Sequence, residues 1–298
     1  MQRTETPTKD SKLNTKNPAK TNVADYRTPT SVRESSNTVS LNLKELWTFH
    51  ELLYFLVWRD IKVRYKQTAL GVAWAILQPF MTMVVFTIFF GKLAKIPTDG
   101  VPGPIFYFSA LLPWQLFANA LTNSSNSLVT NSTLITKVYF PRLIIPLSST
   151  LAGFVDFCIA FLVLIGMMLY YGIVPTPAVI LLPLFILFAI VTSLAASLWL
   201  SALNVKYRDV RFTLPFLTQI WLFITPIVYP SSLVPEKWRF LYGLNPMAGV
   251  VEGFRWAILG KSSGVGPLMI VSVLIVISML IGGFIYFRRT EKTFADIV

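Results

Sequence analysis

The stretch from Trp58 to Phe80, WRDIKVRYKQTALGVAWAILQPF, decides the fold. Within it Arg59, Lys62, Arg64 and Lys66 set four cationic heads just ahead of an apolar run that begins at Leu70. Basic flanks of a membrane span are held on the cytoplasmic side, so this junction orients everything after it. Arg59, Lys62 and Lys66 recur at helical spacing, while Val57, Ile61 and Tyr65 lie on another stripe at intervals of four. The pattern predicts an amphipathic helix lying on the inner membrane surface and then turning in. Leu70-Gly71 is the expected turn, because glycine accepts backbone angles that other residues resist and leaves room for a close neighbour.

Composition extends this reading to the whole chain. With 54% hydrophobic and 13% charged residues among 298, the protein falls outside the soluble globular range and reads as integral to a membrane. A net charge of +12 raises the question of nucleic acid, but the basic residues gather in the N-terminal region and in short loops. Anionic inner-leaflet lipid and the positive-inside bias account for them, and no nucleic-acid partner is expected. One cysteine, Cys158, excludes an intramolecular disulfide or a cysteine metal cluster; its apolar surroundings predict an inert, buried thiol.

Residues 1 to about 38 are rich in Thr, Ser, Asn, Pro and Lys, with too little apolar area to offset the entropy of ordering. They read as a disordered cytoplasmic tail, and without an apolar core they do not read as a secretory signal. Residues 39–69 read as the interface helix: Asn42 is a candidate cap with Glu45 three residues on, and Leu43, Leu46, Trp47, His50, Leu53, Tyr54, Val57 and Trp58 form one broad face. The lone His50 is expected as an interfacial side chain, since no second histidine exists to share a metal.

Six apolar segments follow, about Leu70 to Phe90, Ile105 to Ser127, Pro146 to Tyr171, Ala178 to Leu203, Phe212 to Tyr229 and Val265 to Phe287. Each is long enough, at about 1.5 Å per residue, to approach a core of roughly 30 Å. The segment Leu244 to Leu259, LNPMAGVVEGFRWAIL, opens with Asn-Pro and carries Glu252 and Arg255, which argues for a re-entrant or interfacial helix over a seventh span. With both termini inside, 20 of the 26 Lys and Arg fall on the cytoplasmic side, whereas seven spans would misplace Arg288, Arg289 and Lys292. The expected fold is an all-α integral membrane protein: an N-terminal amphipathic surface helix, a six-span transmembrane domain over 70–288 with re-entrant helices within 231–260, and a cytoplasmic C-terminus over 289–298.

Chemistry-bearing motifs are few. Gly260-Lys261-Ser262 fails as a phosphate-binding loop because position 255, where the first glycine belongs, is Arg. No zinc pattern and no paired acidic motif is present, so neither a metal nor a catalytic set is assigned, and an energy source has to come from another chain. Tyr139-Phe140-Pro141-Arg142 with Lys137 puts aromatics and cations on a short cytoplasmic loop, read either as a contact element or as an ordinary positive-inside loop. Asp156 lies inside the third span and needs a partner, a water-filled cavity or protonation. Trp74, Phe80, Phe86, Phe89, Phe90, Trp221 and Phe223 enrich the first and fifth spans in aromatics, which suits lipid contact or a lining that stacks on sugar rings.

Taken together, RDIKVRYKQTALG, VYFPRLIIP, NVKYRDVR, TPIVYP and LNPMAGVVEGFRWAILG, in that order across roughly residues 43 to 290, resemble the membrane subunit of polysaccharide-exporting ABC transporters. The resemblance implies a permease of the bacterial cytoplasmic membrane that pairs with a second copy of itself and with two ATP-binding subunits. It implies export of a polyprenyl-diphosphate-linked glycan such as O-antigen, capsule or teichoic acid, with ATP and Mg on the partner and no cofactor in this chain. It further implies an entrance at Arg59, Arg64, Lys66 and Gly71, ATPase coupling through Lys137, Tyr139, Phe140, Pro141 and Arg142, and a pore lined from the first and fifth spans, with Trp74, Phe86, Phe90, Trp221 and Phe223 as candidates. Asp156, Glu252 and Arg255 remain as the intramembrane polar residues. Two alternatives stand beside this reading. One is an exporter of small molecules or drugs; the other is a membrane enzyme acting on polyprenyl-phosphate sugars with Asp156 or Glu252 as base.

Overall fold

A computed structural model describes residues 43–66, 71–260 and 266–294. The expected tail, the Asn42 cap, the Leu70 side of the turn and Lys261-Ser262 lie outside them. Every regular element among the described residues is helical. In chain order these are α1 (Leu43–Thr48), α2 (His50–Lys66), α3 (Gly71–Phe86, continued by the π-helical Thr87–Leu93), α4 (Gly103–Thr130), α5 (Ser132–Lys137), α6 (Ile144–Tyr171) and α7 (Leu182–Lys206). Then come α8 (Val210–Ile224), α9 (Glu236–Gly243), α10 (Pro246–Leu259) and α11 (Pro267–Glu291).

Among the described residues, four stretches are long and apolar enough to cross a membrane: Gly71–Leu93, Ile144–Tyr171, Pro177–Lys206 and Leu268–Glu291. α4 has 28 residues, about 42 Å of helix, but is more polar because it is wrapped by protein. Its hydroxyls and amides meet neighbouring helices: Ser124 Oγ donates to Pro146 O at 3.0 Å, Ser197 Oγ donates to Ala120 O at 3.3 Å, and Asn204 Nδ2 donates to Ser125 O at 3.0 Å. Such bonds hold helices together where lipid competes for apolar surface. α7 and α11 close further through glycine, since a Cβ at Gly282 or Gly283 would come within 2.9 Å of the Trp199 ring.

Two cores result. The larger gathers α3, α4, α6, α7, α8 and α10. The smaller lies at one end of the bundle and joins Leu56 of α2, Leu128, Ile135, Phe140, Ile144, Val205, Phe287 and Phe294. The C-terminal ends of α4, α7 and α11 and the N-terminal end of α6 therefore share one end, which is also the end that carries Arg59, Lys62, Lys66 and Lys137.

The surface helix is anchored to the bundle by Leu56, backed by Leu46, Phe49, Leu52 and Leu53, while Trp47, Tyr54, Phe55 and Trp58 stay more than half exposed. Packing against α6 selects the narrow aliphatic stripe and leaves the bulky rings outside. The fifth apolar segment, expected from Phe212 to Tyr229, is helical only to Ile224, about 22 Å over 15 residues. Pro226 forces Thr225 into extended backbone (φ −83, ψ 145) and residues 225–228 run on as a buried non-helical segment. Cys158 is exposed rather than buried, because an apolar run in this chain faces outward as readily as inward.

Candidate functional site

α2 ends against α6 in a polar knot. Arg64 Nη1 donates to Asp156 Oδ2, and the Tyr65 hydroxyl donates to Asp156 Oδ1, so the carboxylate placed inside the third apolar segment finds both partners on the surface helix. Burial and the Asp156 carboxylate push the Tyr65 hydroxyl well above its ordinary range, which keeps it a donor. Arg59 is folded onto its neighbour, donating to Asp60 Oδ1 through Nε at 3.0 Å and Nη2 at 2.8 Å. Lys62 and Lys66 are exposed.

Beside the knot opens a cleft of about 360 Å³ between α3, α4 and α6. Arg64, Gly71, Trp74, Gln78, Pro79, Gln115, Asn119, Gly153, Asp156 and Phe157 are among its walls. Nothing in the sequence draws the three carboxamides of this cleft together. Their helical register put them on apolar segments, and only the packing of α3 against α4 and α6 brings them to one space.

At the same end of the bundle, the loop after α5 is split between display and anchorage. Lys137, Val138 and Tyr139 face outward, with Tyr139 86% exposed, whereas Phe140 is 4% exposed and Pro141 is buried. Arg142 is clamped to the end of α11. Its backbone N–H donates to Glu291 Oε1 at 3.2 Å, its Nη1 donates to the Glu291 carbonyl, and Arg288 Nη1 donates to Glu291 Oε2 at 3.1 Å. A guanidinium on a terminal helix carbonyl satisfies an acceptor that the helix itself leaves open.

The other end of the bundle is held by α10. Arg255, 1% exposed, lies over the Phe106 ring at 3.7 Å and its Nη2 donates to Phe106 O at 3.4 Å and Ile227 O at 3.3 Å. Glu252, one turn earlier, faces Nη1 at 3.7 Å, within ion-pair reach but beyond a hydrogen bond. Asn245 caps α10 by accepting from Met247 N at 3.1 Å, accepts from Trp221 Nε1 at 2.9 Å, and donates to Thr225 Oγ1 at 3.0 Å. Irregular backbone away from water survives only when protein groups satisfy it; Arg255 meets the Ile227 carbonyl, and Asn245 holds the segment by the Thr225 hydroxyl. The Asn-Pro start of the segment was visible in the sequence; its role as a stitch to α8 was not.

The remaining aromatic candidates separate. Phe86 is buried edge-on to Tyr107 and Phe90, and Trp221 turns inward against Phe117. Trp74 and Phe223 are 58% and 51% exposed. His50 is exposed, stacked on Trp47 and bonded to its carbonyl at 2.8 Å.

Comparison with known proteins adds an independent line. The family model for the ABC-2 type transporter matches residues 51–259. The O-antigen export system permease protein RfbA of Myxococcus xanthus is 28% identical over 260 residues, covering 86% of this chain and 98% of that protein. A Klebsiella pneumoniae protein of the same name is 28% identical over 264 residues, covering 87% and 100%. The polysialic acid transport protein KpsM of Escherichia coli is 24% identical over 242 residues, covering 78% and 91%.

Proposed function

The chain belongs to the ABC-2 type transporter family, and on that premise we propose that it is the permease subunit of an exporter of lipid-linked polysaccharide, driven by a separate ATP-binding subunit. The observation that carries this is the near end-to-end likeness to O-antigen and polysialic acid permeases. The position is the bacterial cytoplasmic membrane. α4 and α8 complete six passes, α9 and α10 re-enter from the outside, and both termini are cytoplasmic. Charge supports this orientation, because the shared end of α4, α6, α7 and α11 is also the basic end.

In this reading two copies pair with two ATPases that hold ATP and Mg. The pore between the copies is lined by the exposed rings of α3 and α8, such as Trp74, Phe89, Phe216 and Phe223. Phe86 and Trp221 support that wall from behind. At the entrance Arg59, Lys62 and Lys66 meet the lipid diphosphate by charge-assisted bonds, while Arg64 holds the surface helix to Asp156. Lys137 to Tyr139 contact the ATPase, and Phe140, Pro141, Arg142 and Glu291 brace that contact.

The test is reconstitution with the ATP-binding subunit. Tyr139→Ala is expected to cut polymer export at least about tenfold, with ATP hydrolysis persisting and the protein still inserted, since the side chain is exposed and carries no packing. Unchanged export and unchanged stimulation of the ATPase would remove the loop from coupling. Failure of the two chains to copurify at all would remove the transporter reading.

A further inference from the structure

We propose that the cleft between α3, α4 and α6 is a saccharide-binding site, at which one neutral sugar residue of the lipid-linked chain is held beside the Arg64–Asp156 pair. The inference rests on the reading of the chain as a polysaccharide permease and adds to it the place and chemistry of sugar contact.

The occupant follows from what lines the cleft. Gln78, Gln115 and Asn119 bring three carboxamides to a space of about 360 Å³, a volume in the range of small-ligand sites. Among the described residues none of the three has a side-chain hydrogen bond to protein. Gln78 is exposed and Gln115 and Asn119 are half-buried, and each carboxamide offers a ligand two donors and a carbonyl acceptor. Pro79 has no N–H to return to the Ala75 carbonyl, which adds an acceptor on the same wall. A ligand must therefore both donate and accept, at several points.

Sugar hydroxyls do both. A phosphate only accepts: it would leave the amide carbonyls unmet and would face the Asp156 carboxylate, whose charge already neutralises Arg64. An acyl chain would meet none of these groups. Apolar walls complete the match, with the Trp74 ring at the rim and Phe157 buried behind, because aromatic faces suit the C–H surface of a pyranose. Gly153 keeps the floor open, for a Cβ there would meet nothing within 4 Å.

The experiment uses the permease with its ATPase in lipid nanodiscs and measures affinity for two probes. One is polyprenyl diphosphate carrying a single N-acetylhexosamine and the other is bare polyprenyl diphosphate. Gln115→Leu with Asn119→Leu, apolar changes suited to the membrane interior, is expected to weaken the glycosylated lipid about tenfold or more and leave the bare lipid unaltered. Gly153→Leu, which fills the floor, is expected to do the same, with Gly153→Ala near wild type. Equal loss for both lipids, or none for either, overturns the saccharide site. A wild-type complex that binds neither probe instead strikes the reading of the chain as a polysaccharide-lipid permease.

Discussion

Two ion pairs in this molecule are built in opposite ways. Arg64 and Asp156 are 92 residues apart, join a surface helix to a long apolar one, and keep 30% and 15% of their side chains exposed. Glu252 and Arg255 share one helix, one turn apart, at 7% and 1%. The second pair does little tethering as a pair; its arginine spends its donors on the carbonyls of Phe106 and Ile227. The contrast separates two uses of charge in a membrane. A pair between elements, left near water, docks a helix in a way that can be released. A pair within an element lets an arginine stay ionised deep in protein, where it repairs broken backbone.

The largest effect is expected at the buried end. Arg255→Met removes the donor to two carbonyls and strands the Glu252 carboxylate, and breaking a buried pair from one side costs about 3–5 kcal/mol. The variant should melt far below wild type in detergent and yield little folded protein. Adding Glu252→Gln should recover part of the loss and no more, because the Ile227 and Phe106 carbonyls stay unmet. Full recovery in the double variant would show that the arginine serves its glutamate alone, and the contrast with the other pair would collapse.

Much of this architecture can be read from the chain. Basic residues before Gly71, long apolar runs and a charged short segment at Glu252 are local patterns, and the long helices follow them. What resists reading is which partner each polar residue takes. Asp156 declares that it needs one, but Arg64 and Tyr65 are only two of many candidates, and helix packing alone selects them. Trp221 was read with the pore aromatics because a helical wheel has no marked inner face. Nothing in the sequence pairs its indole N–H with Asn245, 24 positions on. Gln78, Gln115 and Asn119 were silent because nothing in a sequence says that three separate helical positions open on one cleft.

A middle-sized effect is expected at the exposed pair. Asp156→Asn removes the charge that Arg64 and Tyr65 both address, at about 1–3 kcal/mol for a polar group left partly unmet, toward the lower end because water reaches the site. The loss should be local: faster hydrogen exchange in α2 with the bundle's melting temperature little changed. Exchanging the charges, Arg64→Asp with Asp156→Arg, should restore protection of α2. If Asp156→Asn instead melts the whole bundle as Arg255→Met does, the pair is a core element and not a releasable dock.

The smallest effect, and the one that sharpens the account of docking, is at Tyr65. Tyr65→Phe deletes a single hydrogen bond and leaves the Arg64–Asp156 contact standing, so about 0.5–1.5 kcal/mol of the hold on α2 should go. Its pH dependence has a definite sign. Burial and the Asp156 carboxylate raise the hydroxyl above the ordinary tyrosine value of 10.0, so the folded state favours the protonated form. A group whose folded pKa is raised contributes in full below its unfolded value and loses that contribution only as pH climbs through the folded one. The difference in α2 protection between wild type and Tyr65→Phe should therefore be the same at about pH 7 and about pH 9, and should shrink only in stronger base. A difference that fades between those two values would mean that the hydroxyl gives up its proton more readily than it does in water, the opposite of what burial beside the Asp156 carboxylate dictates.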